Sequence, residues 1–230
     1  MRVADAAGRG HRLGRIVIAI VVLSKLLIGN SRRALLAVLA ASALEGSAAV
    51  GSERLAHVQV SQVTQAPGGW VEFCARQPSE CTGRTMIPRE LTLSREAWID
   101  LVRVNNWVNA TIKPLPDLEH WGVVERWSYP DDGYGDCEDY VLLKRRMLMN
   151  LGLPREALLV TVVSDGNDQG HAVLTVTTDR GDYILDNQNK DILLWSDTGY
   201  RFVKRQSQSS PSVWVSLGGQ KSATATATSR

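Results

Sequence analysis

Three cysteines and four histidines hold most of the chain's capacity for covalent and proton-transfer chemistry, and one cysteine stands where a nucleophile could be made. A thiol attacks as its thiolate, and a helix N-terminus or a nearby imidazolium lowers the cost of making one. Cys137 lies in Gly135-Asp136-Cys137-Glu138-Asp139-Tyr140, directly ahead of Tyr140, Leu143, Met147 and Leu151, whose spacing marks one buried helical face over 136–151. The thiol therefore falls in the first turn, with Asp136 in position to cap the helix and Gly135 to let the chain turn into it. The carboxylates of Asp136, Glu138 and Asp139 work the other way, because negative charge beside a thiol raises its pKa unless something neutralises it. A calcium ion is one such agent. Without a metal, the same acids would simply complement the helix dipole.

A cysteine nucleophile needs a base. His11 and His57 fall in the N-terminal leader and in an unpatterned stretch, which leaves His171 and, as the substitute, His120. His171 opens an apolar run after the loop Ser164–Gly170, and a second run ends at Asp186. Folding the two about the turn 178–181 makes residue 173 face residue 186, so His171 and Asp186 become near neighbours on adjacent strands. An imidazole held by a carboxylate and facing a thiol is a triad, in which the acid fixes the tautomer of the base.

The elements that must position these groups can be traced along the chain. Ala97, Leu101, Val104, Trp107 and Val108 give helical spacing over 94–110, with Thr92 or Ser94 to cap it. Pro114 and Pro116 break that pattern, and the stretch to Gly135 reads as a long ordered loop. Gly152 and Pro154 stop the helix of Cys137. Runs at 157–163, 172–177, 183–185, 192–195 and 200–203, separated by polar turns, suit an antiparallel meander. The fold class is α+β, with the nucleophile's helix packed on an antiparallel sheet and a smaller helical lobe over 70–125 forming the other wall of a cleft. Of the seven tryptophans, Trp121 and Trp127 are the ones to line that cleft, whereas Trp98 and Trp107 have core spacing. The backbone N–H of Cys137 is the natural first oxyanion donor.

Residues 1–50 carry two apolar runs, 16–23 and 34–44, each shorter than the roughly 20 apolar residues of a membrane span. Arg32-Arg33, the second run and the small residues 46–49 follow the order of a secretory signal, with cleavage near Ala49; the first run either precedes that signal or lengthens an anchor. Export to an oxidising compartment would allow Cys74 and Cys81 to close a loop around Pro78. Residues 51–69 read as a linker, 70–217 as the folded domain and 218–230 as a disordered tail. Lysine and arginine number 26 against 24 acidic residues, a net charge of +2 that offers no field to gather nucleic acid.

The segments GDCEDY at 135–140, GHAVLTV at 170–176 and YILDNQ at 183–188 together resemble the bacterial transglutaminase-like cysteine proteinases, and the likeness extends through VNNWVN at 104–109, EHWG at 119–122 and WVSL at 214–217. The resemblance implies a papain/transglutaminase-like fold, a catalytic Cys137, His171 and Asp186, and Asp136 and Glu138 as calcium ligands. It implies a periplasmic protease that cuts a protein substrate, in the best understood members a cell-surface adhesin, under an inner-membrane regulator. Two other functions use the same residues. A transglutaminase would resolve the thioester with an amine, and a calcium-dependent binding protein would keep the triad without using it.

Overall fold

A computed structural model describes residues 56–82 and 85–218; the leader and most of the C-terminal tail lie outside the described residues. The centre of the fold is α5 (Cys137–Asn150) laid against a seven-stranded antiparallel sheet. The sheet contains β1 (Val60–Thr64), β4 (Leu158–Ser164), β5 (Gly170–Thr178), β6 (Gly181–Leu185), β7 (Leu193–Leu194), β8 (Arg201–Ser207) and β9 (Ser210–Leu217), in the order β1-β9-β8-β4-β5-β6-β7. Strands β4 to β7 form the expected meander. The expectation fails after β7, where the chain crosses to the other side of β4 and adds the hairpin β8–β9 there. The crossing places β4 and β5 in the interior of the sheet, and they are buried along nearly their whole length. Such strands read as unbroken apolar runs rather than alternating ones.

From sequence, 51–69 reads as a linker. Within it, residues 60–64 are instead β1, the edge strand on β9, and Gly68 already opens the helix α1 (Gly68–Arg76). Four of the five residues of β1 are exposed, so its hydrophobic pattern is weak. Backbone pairing holds it, which periodicity does not register. The strand β9 was likewise absent from the strands read by pattern; its inward residues Trp214 and Leu217 stand among exposed and half-buried serines and valines.

The helical side contains α1, the short α2 (Pro78–Cys81), α3 (Arg95–Thr111), α4 (Asp117–Trp121) and α5. Ser94 is the cap of α3, its hydroxyl accepting from the Ala97 N–H at 3.1 Å. The stretch after Pro114 is more structured than a loop: α4 lies within it, and two short parallel segments, β2 (Lys113–Pro114) and β3 (Tyr134–Gly135), pin its two ends together. Cys74 and Cys81 form a disulfide with their Cα atoms 5.6 Å apart, closing the α1–α2 corner. Arg145 ties that corner to α5: buried, it donates from Nε to the Leu158 carbonyl at 3.0 Å and from Nη1 to Glu80 at 3.0 Å.

The core where these parts meet is aromatic. Trp70 of α1, Trp127 of the stretch before α5, and Trp214 of β9 pack edge to face with ring centres 6.0 to 6.4 Å apart. A second junction is polar. Asp182 of β6, wholly buried, accepts from the Val58 N–H at 3.0 Å and from Arg205 at 2.8 Å, and shares a proton with Nδ1 of His57 at 3.0 Å. Gly181 makes the approach of this N-terminal strap possible: its φ is +124°, and a Cβ there would meet the Ala56 carbonyl at 2.6 Å.

The hydrogen bond to Asp182 raises the His57 pKa above its ordinary 6.5. Burial would lift the Asp182 carboxyl, yet the His57 bond and the Arg205 charge outweigh it and leave the group below 3.8. The His57 contribution to stability is therefore complete below 6.5 and lost as pH rises through its raised value; that of Asp182 is present above 3.8 and lost as pH falls through its depressed value. Urea denaturation of wild type and His57→Ala should show the largest difference near about pH 5.5, shrinking above about pH 7. Asp182→Asn, which strands the buried Arg205, should cost about 3 kcal/mol at neutral pH.

Candidate active site

Helix α5 begins at Cys137, and its first ladder bond runs from the Tyr140 N–H to the Asp136 carbonyl at 3.2 Å. The N–H groups of residues 137–139 therefore lie outside the ladder, as the first N–H groups of any helix do. The sulfur of Cys137 is half-buried and 3.2 Å from Oε2 of Glu138. Gly135 is needed for a different reason than a sharp turn. Its backbone is ordinary, but a Cβ would meet Asp139 at 2.7 Å. Asp136 also departs from expectation: it occupies the cap position, yet its side chain does not cap the helix. Oδ2 accepts from the Asp117 N–H instead, at 3.2 Å.

The turn closing β5 and β6 pairs Thr178 with Gly181, and the ladder continues to Leu174 opposite Leu185. The same register sets residue 173 against 186, as read from the sequence. His171 and Asp186 are both buried, and Nε2 of the imidazole lies 2.9 Å from Oδ1 of the carboxylate. Asp186 is satisfied from several directions. Oδ1 also accepts from the Gln188 N–H at 2.9 Å, Oδ2 from the Tyr200 hydroxyl at 2.6 Å, and the backbone carbonyl from Asn109 of α3 at 2.8 Å. Burial alone would raise its pKa; the bonds from His171, Tyr200 and Gln188 outweigh that and hold it below the usual carboxylate range. An ionised carboxylate at Nε2 requires a proton there, which leaves the lone pair on Nδ1. The Gln188 amide lies 3.4 Å from that nitrogen.

Cys137 and His171 line one cavity of about 260 Å³, together with Glu125, Trp127, Gly170 and Lys204. Trp127 is thus a wall of the cleft, its indole N–H directed at Glu125. Trp121 is not in this cleft; it lies under the guanidinium of Arg126 and lines a neighbouring hollow. His120 is stacked on Trp121 and bonded to Asp132 at 2.7 Å, and it is not among the residues lining the cleft. Tyr200, Gln188 and Asn109 all touch Asp186. Sequence reasoning gives none of them a role, although Gln188 closes the YILDNQ segment and Asn109 the VNNWVN segment.

Beside the thiol is a cluster of acids. Asp117, Asp136 and Glu138 each bring a carboxylate oxygen to within 4.8 Å of the others. Asp117 had no sequence signal, since it lies far from GDCEDY and is brought in by α4. One oxygen on each of these three, and Oδ2 of Asp139, is buried without a hydrogen-bond partner among the described residues. The other oxygens are used structurally: Asp117 Oδ2 accepts from the Arg126 N–H, and Asp139 Oδ1 from the Ser128 N–H at 2.7 Å. Burial first, and then mutual repulsion, pushes Glu138 up to about 10 and Asp139 to about 8, and raises Asp117. The Cys137 thiol is raised for the same reasons, burial and then the Glu138 charge, against a backbone hydrogen bond from Ala172 that favours the thiolate. Converging, unpaired, hard oxygen donors that would otherwise have to hold protons fit a calcium ion well.

A cysteine at a helix start, an imidazole and carboxylate on adjacent antiparallel strands, and a cleft between helices and sheet define the papain/transglutaminase-like class of folds. Residues 60–222 match the family model of the bacterial transglutaminase-like cysteine proteinases, and the chain belongs to that family of cysteine peptidases. Similar solved structures include LapG of Legionella pneumophila, at 25% identity over 52% of this chain and 68% of that one, with a TM-score of 0.44. A calcium-bound LapG of the same organism is 22% identical over 67% of this chain and 93% of that one, also with a TM-score of 0.44. No curated protein matches.

Proposed function

We propose that the chain is an exported cysteine protease that hydrolyses amide bonds in a protein substrate, with Cys137 as nucleophile, His171 as base and Asp186 as orienting acid, in a site that holds calcium. The observation that carries this reading is the 2.9 Å bond by which buried Asp186 holds His171, which lines one cleft with Cys137. With the proton on Nε2, Nδ1 carries the basic lone pair of the ring, the Gln188 amide lying 3.4 Å from it.

His171 Nδ1 takes the thiol proton, and the thiolate of Cys137 attacks the substrate carbonyl carbon. The Cys137 N–H, free of the helix ladder, donates to the developing oxyanion. His171 then returns the proton to the leaving amine as the C–N bond breaks, and a thioester remains. His171 next removes a proton from water as it attacks the thioester, and the carboxylate product leaves with Cys137 restored. Asp186 stays ionised throughout and fixes the ring.

Asp117, Asp136 and Glu138 would hold the calcium, which when bound supplies positive charge that keeps these acids ionised and offsets their field at the thiol. Export is supported by the arginine pair and apolar run ahead of the domain, and by the Cys74–Cys81 disulfide. The finer reading, a cell-surface adhesin as substrate and an inner-membrane receptor as regulator, rests on the family resemblance.

Alkylation of Cys137 followed against pH tests the site. In the calcium-loaded protein the thiol should react well below the free thiol pKa of about 8.5, and His171→Ala should abolish that low-pH reactivity. An alkylation profile indifferent to His171 would sink the catalytic reading and leave a binding protein. On a protein substrate, Asp186→Asn should lower kcat by about 10³ to 10⁴, through the wrong tautomer. Product analysis with an added amine separates the acceptors: hydrolysis gives a free carboxylate throughout, whereas amide products would favour a transglutaminase.

Titration calorimetry tests the metal. Asp117→Asn should weaken calcium binding at least about tenfold, whereas Asp131→Asn, an exposed acid paired with Arg146, should leave it unchanged.

A further inference from the structure

Among the ionisable groups of helix α5 that the chemistry above does not use, one is buried without a partner. Lys144 lies two turns beyond Cys137 on the same face and is fully buried, and its ammonium has no hydrogen-bond partner among the described residues. Isolated buried ammonium groups are costly, so one that persists calls for a charge to answer it. The charge acting on Lys144 is that of Asp186.

The packing of α3 against α5 shows why. The Tyr140 hydroxyl donates to the Ile112 carbonyl at 2.6 Å at one end, and at the other Val104 and Trp107 share a hollow with Met147 and Leu151. The two helices therefore run antiparallel, with Lys144 level with Val108 and so between Asn105 and Asn109. Both asparagines spend their N–H groups on the segment that follows β6: Asn109 on the Asp186 carbonyl at 2.8 Å and Asn105 on the Lys190 carbonyl at 3.1 Å. Each keeps a buried amide oxygen without a donor among the described residues, as does Asn187. The α3 side chains at this level are thus neutral and the amine bonds to neither asparagine, while the charge that acts on it is that of Asp186, itself bonded to His171 and Tyr200. Arg145, next on α5, is spent on Glu80 and Leu158.

We propose that Lys144 is a positioning residue for the triad, a buried cation that opposes the Asp186 charge from beneath and thereby limits how tightly the imidazolium of His171 is held. The proposal rests on the reading of Asp186 as the triad acid. Burial pushes the Lys144 amine down to about 7, with Asp186 acting in the opposite sense, so the cation is present in the acid range where an imidazole titrates. Its loss leaves Asp186 unopposed, and the ring proton should then be harder to remove.

The test is the NMR titration of the His171 ring in the calcium-loaded protein, its signal assigned by its absence in His171→Gln. In Lys144→Met, whose side chain matches the lysine stem, the midpoint should move up by about one pH unit, a tenfold change in proton affinity. Lys144→Gln, which keeps a polar end without the charge, should move it in the same direction, and Lys144→Arg should leave it near the wild-type value. An unmoved midpoint in folded Lys144→Met and Lys144→Gln overturns the proposal. Failure of both to fold would assign Lys144 to the core alone and overturns it equally. The readout needs no turnover, so a negative alkylation result at Cys137 would sink the protease reading without deciding this one.

Discussion

The hydrogen bond between His171 and Asp186 is the interaction on which the architecture of the site depends, and it is set by strand register. A tight turn between β5 and β6 determines which residue faces which, and a slip of one position would turn the imidazole to the opposite face of the sheet. The ladder from Thr178–Gly181 to Leu174–Leu185 fixes that register, with β5 buried along nearly its whole length. Tyr200 from the start of the β8 hairpin and Gln188 from the turn after β6 then converge on the same carboxylate, and Asn109 from α3 holds the backbone carbonyl of that residue, so three separate pieces of the fold are held to a single residue.

The opposite wall is built on the same economy with different atoms. Helix α5 brings a thiol and three acids to one end, and burial makes their negative charge expensive. Two of the acidic side chains in this region accept backbone N–H groups from residues 126 and 128, and the tryptophan between those residues closes the cleft. The charge balance at the acid cluster is therefore coupled to the shape of the cleft by short covalent and hydrogen-bonded paths, with no long-range relay required.

Much of this was legible from sequence because it is local. The helix of Cys137, its stop at Gly152, the cap at Ser94 and the β5–β6 register follow from periodicity and turn chemistry within a few tens of residues. What escaped depends on contacts distant in the chain. Asp117 joins Asp136 and Glu138 only because α4 folds back over the nucleophile's turn. The β8–β9 hairpin crosses to the far side of β4, which no pattern within those strands announces. The strap at 56–64 is held by backbone pairing and by His57 on Asp182, neither of which leaves a hydrophobic signature. Local inference also misled, at Asp136, whose carboxylate accepts from the Asp117 amide and does not cap the helix, and at Trp121, which lies outside the cleft.

The segment from 118 to 125 is suspended between two anchors, Asp117 at one end and the Arg126 amide bonded to that same side chain at the other. Leu118, Val123 and Val124 within it are exposed. Between those anchors it is tied in by polar and ring contacts, His120 on Asp132 and Glu125 on the Trp127 indole, and not by its apolar side chains. Changes at Leu118, Val123 and Val124, none of which lines the cleft, therefore alter the surface without touching the reacting groups.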